Sequence, residues 1–244
     1  MTATVGCTRS WGNKGDKEFL VIVDNMMNLE LLFRGYEITG NKTLYDIAVS
    51  HANRTIKEHL RKDYSSFHVV AFNESDGTVL HRRTAQGYSD SSCWARGQAW
   101  LVNGFTTTYR FTKSKHFLEA AENVSNYYID HLPEDGITYW DFNVPKDEKH
   151  PYIPRDSSSA SIAASGLFEL YEHTKNEKYL NAAKKIMESL SSAKYRADGH
   201  TDYKLPALIV NGTTAGPNAA KGKSDLAIIY GDYYYIKALN YFFK

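Results

Sequence analysis

Three aspartates occupy equivalent places in this chain. Asp24, Asp90 and Asp156 each stand at the head of a helix-forming stretch. Asp24 follows the apolar run Phe19-Leu20-Val21-Ile22-Val23 and precedes Asn25-Met26-Met27-Asn28. A carboxyl in such company loses hydration, its pKa rises, and it can hold a proton near neutral pH for acid–base work. Asp90 and Asp156 are followed by serines, the pattern of N-caps whose side chains take the free N–H groups of a first helical turn. Arg96 and Trp100 lie four residues apart and share one helix face. An arginine on an inward face needs an anion. That anion is either an internal carboxylate, Asp90 or Asp156, or the carboxylate of a ligand. Gln86 and Trp100 together would suit a sugar, with a hydrogen-bonding edge and an apolar face. None of the 9 histidines, His68 among them, has metal-ligand spacing, so no metal site and no cofactor are expected. No phosphate-binding glycine loop, serine nucleophile elbow or cysteine–histidine pair is present.

These side chains must be positioned by a repeated scaffold. Tyr36-x-x-Thr39 leads to Leu44-Tyr45 and Ala48; Tyr109-x-x-Thr112 leads to Phe117-Leu118 and Ala121; Tyr171-x-x-Thr174 leads to Tyr179-Leu180 and Ala183. An amphipathic stretch runs up to each Tyr and another starts after a Lys/Asn-rich turn. This is a helical hairpin repeated three times, of the kind that buries its core by stacking neighbours. The pattern predicts helices from Asn25 to the Tyr36 turn, over about 43–60, from Asp90 to the Tyr109 turn, and over 115–132, 160–171, 178–191 and 226–243. The first helix of each pair is small and apolar on several sides and the second has a charged side, so inner helices are wrapped by outer ones. All inner helices then start at one end, where the three aspartates would converge. Residues 67–72 and 78–80 read as a strand pair around the turn 73–77. The aromatic loop 133–156, with Tyr139-Trp140-Asp141-Phe142, is long enough to line a site.

Composition narrows the function classes. The 29 Lys plus Arg balance 28 Asp plus Glu, which gives no field for nucleic acid or an acidic membrane. No apolar run is long enough to span a bilayer. Aromatics make up 14% of the chain, suited to helix packing or to stacking on sugar rings. Cys7 and Cys93 are too few for a disulfide framework, and Cys93 reads as buried packing. The start of the chain shows no signal peptide, whereas acceptor triplets at Asn41, Asn53, Asn73, Asn123 and Asn211 hint at a secretory route. The compartment stays open.

The segments Val23-Asp24-Asn25-Met26-Met27-Asn28-Leu29 and Ala85-Gln86-Gly87-Tyr88-Ser89-Asp90-Ser91-Ser92-Cys93-Trp94-Ala95-Arg96-Gly97-Gln98-Ala99-Trp100 resemble the unsaturated glucuronyl hydrolases, glycoside hydrolase family 88. Tyr139-Trp140-Asp141-Phe142, Arg155-Asp156-Ser157-Ser158-Ser159-Ala160 and Tyr230-Gly231-Asp232-Tyr233-Tyr234 continue the likeness in order. It implies an all-α fold, an incomplete (α/α)6 toroid with seven of twelve helices and short β excursions, in one domain over 1–244. The family's N-terminal hairpins, with a second active-site aspartate, would lie outside this chain. The implied reaction hydrates the C4=C5 vinyl ether of a terminal unsaturated uronic acid on a glycosaminoglycan-like oligosaccharide, with Asp24 as acid and then base. Arg96 and Trp100 would hold the uronate, with Gln86 and Tyr230 near it. His68 matches by spacing and Trp11 more loosely. Ala85 stands where the family often has His, and loop 211–224 departs from the usual pattern. Lys221 and Lys223 in that loop are either an anion contact or solvated charges. Rival readings are an unsaturated rhamnogalacturonyl hydrolase, a non-catalytic sugar-binding remnant, or a sugar isomerase, which would want paired histidines.

Overall fold

The computed structural model describes residues 4–200, 206–216 and 224–243; Lys221 and Lys223 lie outside them. Among the described residues seven α-helices follow one another: α1 (Leu29–Thr39), α2 (Lys42–His59), α3 (Ala95–Thr112), α4 (Lys115–Asp130), α5 (Ser157–Thr174), α6 (Glu177–Leu190) and α7 (Ile229–Phe242). The inner helices α1, α3, α5 and α7 pack in that order, and α2, α4 and α6 back their hairpin partners. The result is an incomplete helical toroid. Among the described residues no helix is long and apolar enough to cross a membrane.

Each hairpin turns by one device, and the repeated phrase is its signature. The inner helix ends on a residue in the left-handed region: Gly40 at φ 69°, Lys113 at φ 55° and Lys175 at φ 58°. The N–H of that residue donates to the carbonyl of Tyr36, Tyr109 or Tyr171 respectively. The phrase threonine bonds back to the carbonyl four residues earlier, from Thr39 to Gly35 (2.6 Å), Thr112 to Thr108 (2.9 Å) and Thr174 to Leu170 (2.9 Å). The same hydroxyl accepts the N–H two residues on, from Asn41, Ser114 and Asn176. Orphan groups at a helix end are thereby satisfied at the same places in all three copies.

Residue size decides which helices are inner. The first turns of α5, Ser157-Ser158-Ser159-Ala160, are buried on all sides, and α3 is buried from Ala95 to Thr108. A Cβ on Gly166 of α5 would lie 2.9 Å from the Asn103 backbone of α3, so the two inner helices touch almost backbone to backbone. α6 has a single buried face, Tyr179, Ala182, Ala183, Ile186, Met187 and Leu190. Charges also tie the inner layer. Glu30 of α1 meets Arg110 of α3 (2.7 Å) and Lys237 of α7 (3.4 Å).

Among the described residues three short strands form one antiparallel sheet in the order β1 (Phe19–Ile22), β2 (Val69–Phe72), β3 (Val79–Arg83). Phe19 pairs with Phe72 and Ile22 with Val69. Val5, Cys7, Phe19, Val21, Val70 and Phe72 make a small core of their own beneath it. The expected spans 160–171 and 226–243 start three residues away from α5 and α7, and two other helix starts differ further from the sequence expectation. The stretch after β1 is a 3-10 helix, Val23–Asn28, and α1 begins only at Leu29. α3 begins at Ala95, not at Asp90, because Trp94 is held extended by a bridge to Asp141.

Candidate active site

Asp24 sits in the first turn of the 3-10 helix, held by backbone N–H groups on one side and by the Asn25 side chain on the other. The N–H of Ile22 donates to Ser10 Oγ (2.8 Å) and that of Val23 to the His68 carbonyl (2.9 Å). Asn25 takes a hydrogen bond from Ser10 Oγ (3.0 Å) and gives one to the Thr8 carbonyl (2.9 Å). Two glycines let α3 come up against this segment. A Cβ on Gly104 would lie 2.6 Å from Met26 Cβ, and one on Gly97 would lie 3.0 Å from Val23 Cγ1. Seven residues apart, they share a face of α3 and bring Arg96 and Trp100 toward Asp24.

The Asp24 side chain is 15% exposed. Burial pushes its carboxyl up to about 6, against the opposing pull of the Arg96 guanidinium, its own backbone and the Trp100 indole N–H. His68 Nε2 is 3.7 Å from Asp24 Oδ2. The other ring nitrogen, Nδ1, faces the Ala85 N–H (3.2 Å) and Thr84 Oγ1 (3.2 Å). An acceptor at Nδ1 assigns the proton to Nε2, on the side of Asp24. Burial first, and then the Arg96 charge, bring His68 down to about 3, so the ring is neutral. Asp24 Oδ2, His68 Nε2 and Trp100 Nε1 are all buried and complete no hydrogen bond of normal geometry. A largely buried carboxyl with a raised pKa is thus ringed by donors with spare capacity.

Arg96 is arranged differently. It is 1% exposed, and its Nη1 donates to Asp156 Oδ2 (2.6 Å) and to the Thr213 carbonyl (2.6 Å). Its Nη2 donates to the Thr214 carbonyl (2.9 Å). The guanidinium lies over the Trp94 ring (4.4 Å to the centroid) and near Tyr230 (5.4 Å). Trp94 also stacks on His68, with centroids 4.3 Å apart. Gln86 gives its amide N–H to the same Thr214 carbonyl. Trp100 packs against Tyr230 (6.0 Å) and Tyr234 (5.3 Å).

Asp24, His68, Gln86, Arg96, Trp100 and Tyr230 therefore form one connected cluster at the heads of the inner helices. Trp11 bridges Leu20 at the rim of the sheet and is 40% exposed; among the described contacts none ties it to the cluster. The three aspartates do not converge. Asp156 joins Arg96, while Asp90 is exposed, and its Oδ1 accepts the Thr84 N–H (2.8 Å). Loop 133–156 is fastened to the site rather than loose. The buried Asp141 carboxylate takes the Tyr88 N–H (2.9 Å), Ser92 Oγ (2.7 Å) and the Asn143 N–H (2.9 Å). Cys93 is buried and its thiol is pushed up to about 12 by that burial.

Sequence reasoning missed Trp94 as the plate shared by His68 and Arg96, although it lies inside the densest motif. It also missed the Thr213 and Thr214 carbonyls, which no side-chain pattern announces.

Comparison with known proteins agrees with this architecture. The family model described as Glycosyl Hydrolase Family 88 matches residues 8–207. An unsaturated glucuronyl hydrolase of Formosa agariphila is 44% identical over 97% of this chain and 58% of its own length. An unsaturated chondroitin disaccharide hydrolase of Streptococcus pneumoniae is 37% identical over 98% of this chain and 60% of its own. The crystal structure of an unsaturated glucuronyl hydrolase specific for heparin superposes with a TM-score of 0.89 at 38% identity, over 98% of this chain and 63% of that one. The chain thus spans about three-fifths of the length of the relatives it matches. With its helical hairpins, its buried aspartate and this match along most of its length, the chain belongs to glycosyl hydrolase family 88.

Proposed function

We propose that the protein carrying this chain releases a terminal unsaturated uronic acid from lyase-generated oligosaccharides by hydrating the C4=C5 vinyl ether, with Asp24 as the proton donor. The observation that carries this reading is the Asp24 carboxyl, which is pushed up to about 6 by burial and faces His68 Nε2 and Trp100 Nε1, neither of which completes a hydrogen bond of normal geometry. A carboxyl of that kind is half protonated at about pH 6 and exchanges its proton readily near neutrality, which suits a group that must first give a proton and then take one.

In the proposed sequence, Asp24 gives its proton to C4. The positive charge that develops at C5 is shared with the ring oxygen. Water adds at C5 and returns a proton to Asp24. The resulting hemiketal opens and frees the next sugar. His68, neutral with its proton on Nε2, and the Trp100 N–H supply hydrogen bonds toward the reacting group. Arg96, paired with Asp156, stands beside the reacting group and would orient the uronate through its N–H groups. The relatives named for chondroitin disaccharides and for heparin direct the substrate class to glycosaminoglycan fragments.

The test follows loss of the far-ultraviolet absorbance of the conjugated double bond in unsaturated chondroitin, hyaluronan and heparin disaccharides. Wild type should bleach at least one of them, and Asp24→Asn should be slower by roughly 10²–10⁴-fold. Full activity in Asp24→Asn would remove Asp24 from the reaction. Binding of these disaccharides by wild type without bleaching would assign a sugar-binding role instead.

A further inference from the structure

Asp156 looks at first like an ordinary N-cap. Its Oδ1 accepts from the Ser158 N–H (3.1 Å), Ser158 Oγ (2.6 Å) and the Thr213 N–H (3.3 Å). Capping uses that one oxygen. The other, Oδ2, is turned to Arg96 Nη1 at 2.6 Å, and both side chains are within 1% of complete burial. A cap does not need a buried cation, and burying a pair of charges costs several kcal/mol of desolvation before their attraction offsets it. We propose that Asp156 is a positioning residue for the Asp24 reaction, one that holds the Arg96 guanidinium in place and balances its charge so that Asp24 can keep the proton it is to donate. This rests on the reading of Asp24 given above.

The surroundings of Asp24 favour this assignment. The side chains that face it are His68 beside β2, Arg96 and Trp100 on α3, and Tyr230 on α7. Tyr230 is a neutral phenol, raised further by burial, and His68 is neutral. Arg96 is the cation of the group, and it acts against the protonated form of Asp24. Asp156 is the carboxylate in contact with that cation. Without it, the full charge of Arg96 would act on Asp24 across a dry region, where screening is weak. The Thr213 and Thr214 carbonyls orient the guanidinium but carry only partial charge.

The experiment is a titration of Asp24 itself, by carbon NMR of protein labelled at the aspartate carboxyl and assigned with Asp24→Asn. Asp156→Asn keeps a capping oxygen and removes the charge, and asparagine caps as well as aspartate does. Asp156→Ser also keeps a capping oxygen and presents no amide to the guanidinium. In either variant the Asp24 midpoint should fall by about one unit, a tenfold loss of proton affinity. A midpoint unchanged within experimental error in a folded variant would leave Asp156 as a cap only. If neither single variant folds, Arg96→Gln with Asp156→Asn replaces them, since that site carries no buried charge. The proposal then requires a midpoint close to that of wild type. A rise of more than about one unit would mean that Arg96 had been acting unbalanced, and would overturn it. The two readings fail separately. A wild-type Asp24 that titrates near 4 removes its role as acid, whereas the response to Asp156 is still measured on whatever midpoint is found.

Discussion

The two ends of the helical arc obey different rules. At the turn end, three copies of one phrase make three copies of one geometry: a left-handed residue, a tyrosine carbonyl and a threonine hydroxyl bonded both ways. At the head end, three aspartates in equivalent sequence positions stand in three different settings. Asp24 is a largely buried carboxyl with a raised pKa, Asp156 is a cap paired with a buried arginine, and Asp90 is an exposed loop residue. Repetition marks scaffold, where every copy solves the same problem of turning the chain. Departure from repetition marks the positions where the proposed chemistry would sit.

The sharpest way to break this contrast is to treat the three aspartates alike. Asp24→Asn should lower turnover by roughly 10²–10⁴-fold with the fold intact. Asp90→Asn should stay within about twofold, because an exposed turn contact is all it alters. The expected measurement is bleaching of unsaturated disaccharides by each variant under one set of conditions. Comparable losses in both would mean that the head end is no more differentiated than the turn end.

The Arg96–Asp156 pair should dominate stability rather than turnover alone. Arg96→Gln leaves the Asp156 carboxylate buried with its strongest partner gone, which costs about 3–5 kcal/mol. Chemical denaturation would read this as a large drop in midpoint. A loss below about 1 kcal/mol would mean that Asp156 finds compensation from Ser158 and the Thr213 N–H.

Asp24 should affect stability in the opposite direction. Its carboxyl is 15% exposed and titrates at about 6 in the folded chain, against 3.8 for the free group. The folded state therefore binds the proton more tightly. This favourable difference is fully present below pH 4 and is lost as pH rises toward and through 6. At pH 8 wild type carries the whole cost of a desolvated carboxylate, on the order of 2–3 kcal/mol, and Asp24→Asn does not. The variant should gain on wild type between pH 4 and pH 8 in paired thermal melts. A stability difference that is flat with pH would mean that Asp24 is hydrated.

Much of the fold was legible because the turn device is local. Tyr-x-x-Thr and the polar turn behind it involve contacts only a few residues apart, so all three hairpins and seven helices follow from pattern. The head end was less legible because its contacts are long-range. Asp90-Ser91-Ser92 carries the same helix-start signature as Asp156-Ser157-Ser158, yet the Trp94–Asp141 bridge keeps the chain extended until Ala95. The segment after Val23 has helical spacing, but its first turn is the tighter 3-10 form that backs onto Gly104. An anion for Arg96 could be expected from the sequence alone, whereas its two carbonyl partners could not. Backbone carbonyls from a distant loop leave no trace in residue type.

The turn end can be tested for its own uniformity. Thr112→Ala removes both the bond to the Thr108 carbonyl and the acceptor for the Ser114 N–H. The expected cost is about 1 kcal/mol, with Thr39→Ala and Thr174→Ala within a few tenths of the same value. Unequal costs in these three would show that identical geometry hides different energetics.

The smallest effect discriminates between two explanations for the residue that closes each turn. Gly40 adopts the left-handed conformation freely, whereas Lys113 and Lys175 adopt it at a steric cost of about 1 kcal/mol. Each lysine in return places its ammonium over the phrase tyrosine, Lys113 at 5.5 Å from Tyr109 and Lys175 at 5.4 Å from Tyr171. At an exposed position such a contact contributes about 0.5 kcal/mol. Backbone strain is then the larger of these two terms, though glycine also loses more chain entropy on folding. Lys113→Gly and Lys175→Gly should each stabilise the chain by a few tenths of a kcal/mol, read as a small rise in denaturation midpoint with an unchanged slope. If both variants are instead less stable, the lysine–tyrosine contacts and glycine's entropy outweigh the strain, and the turns are held by side chains as much as by backbone.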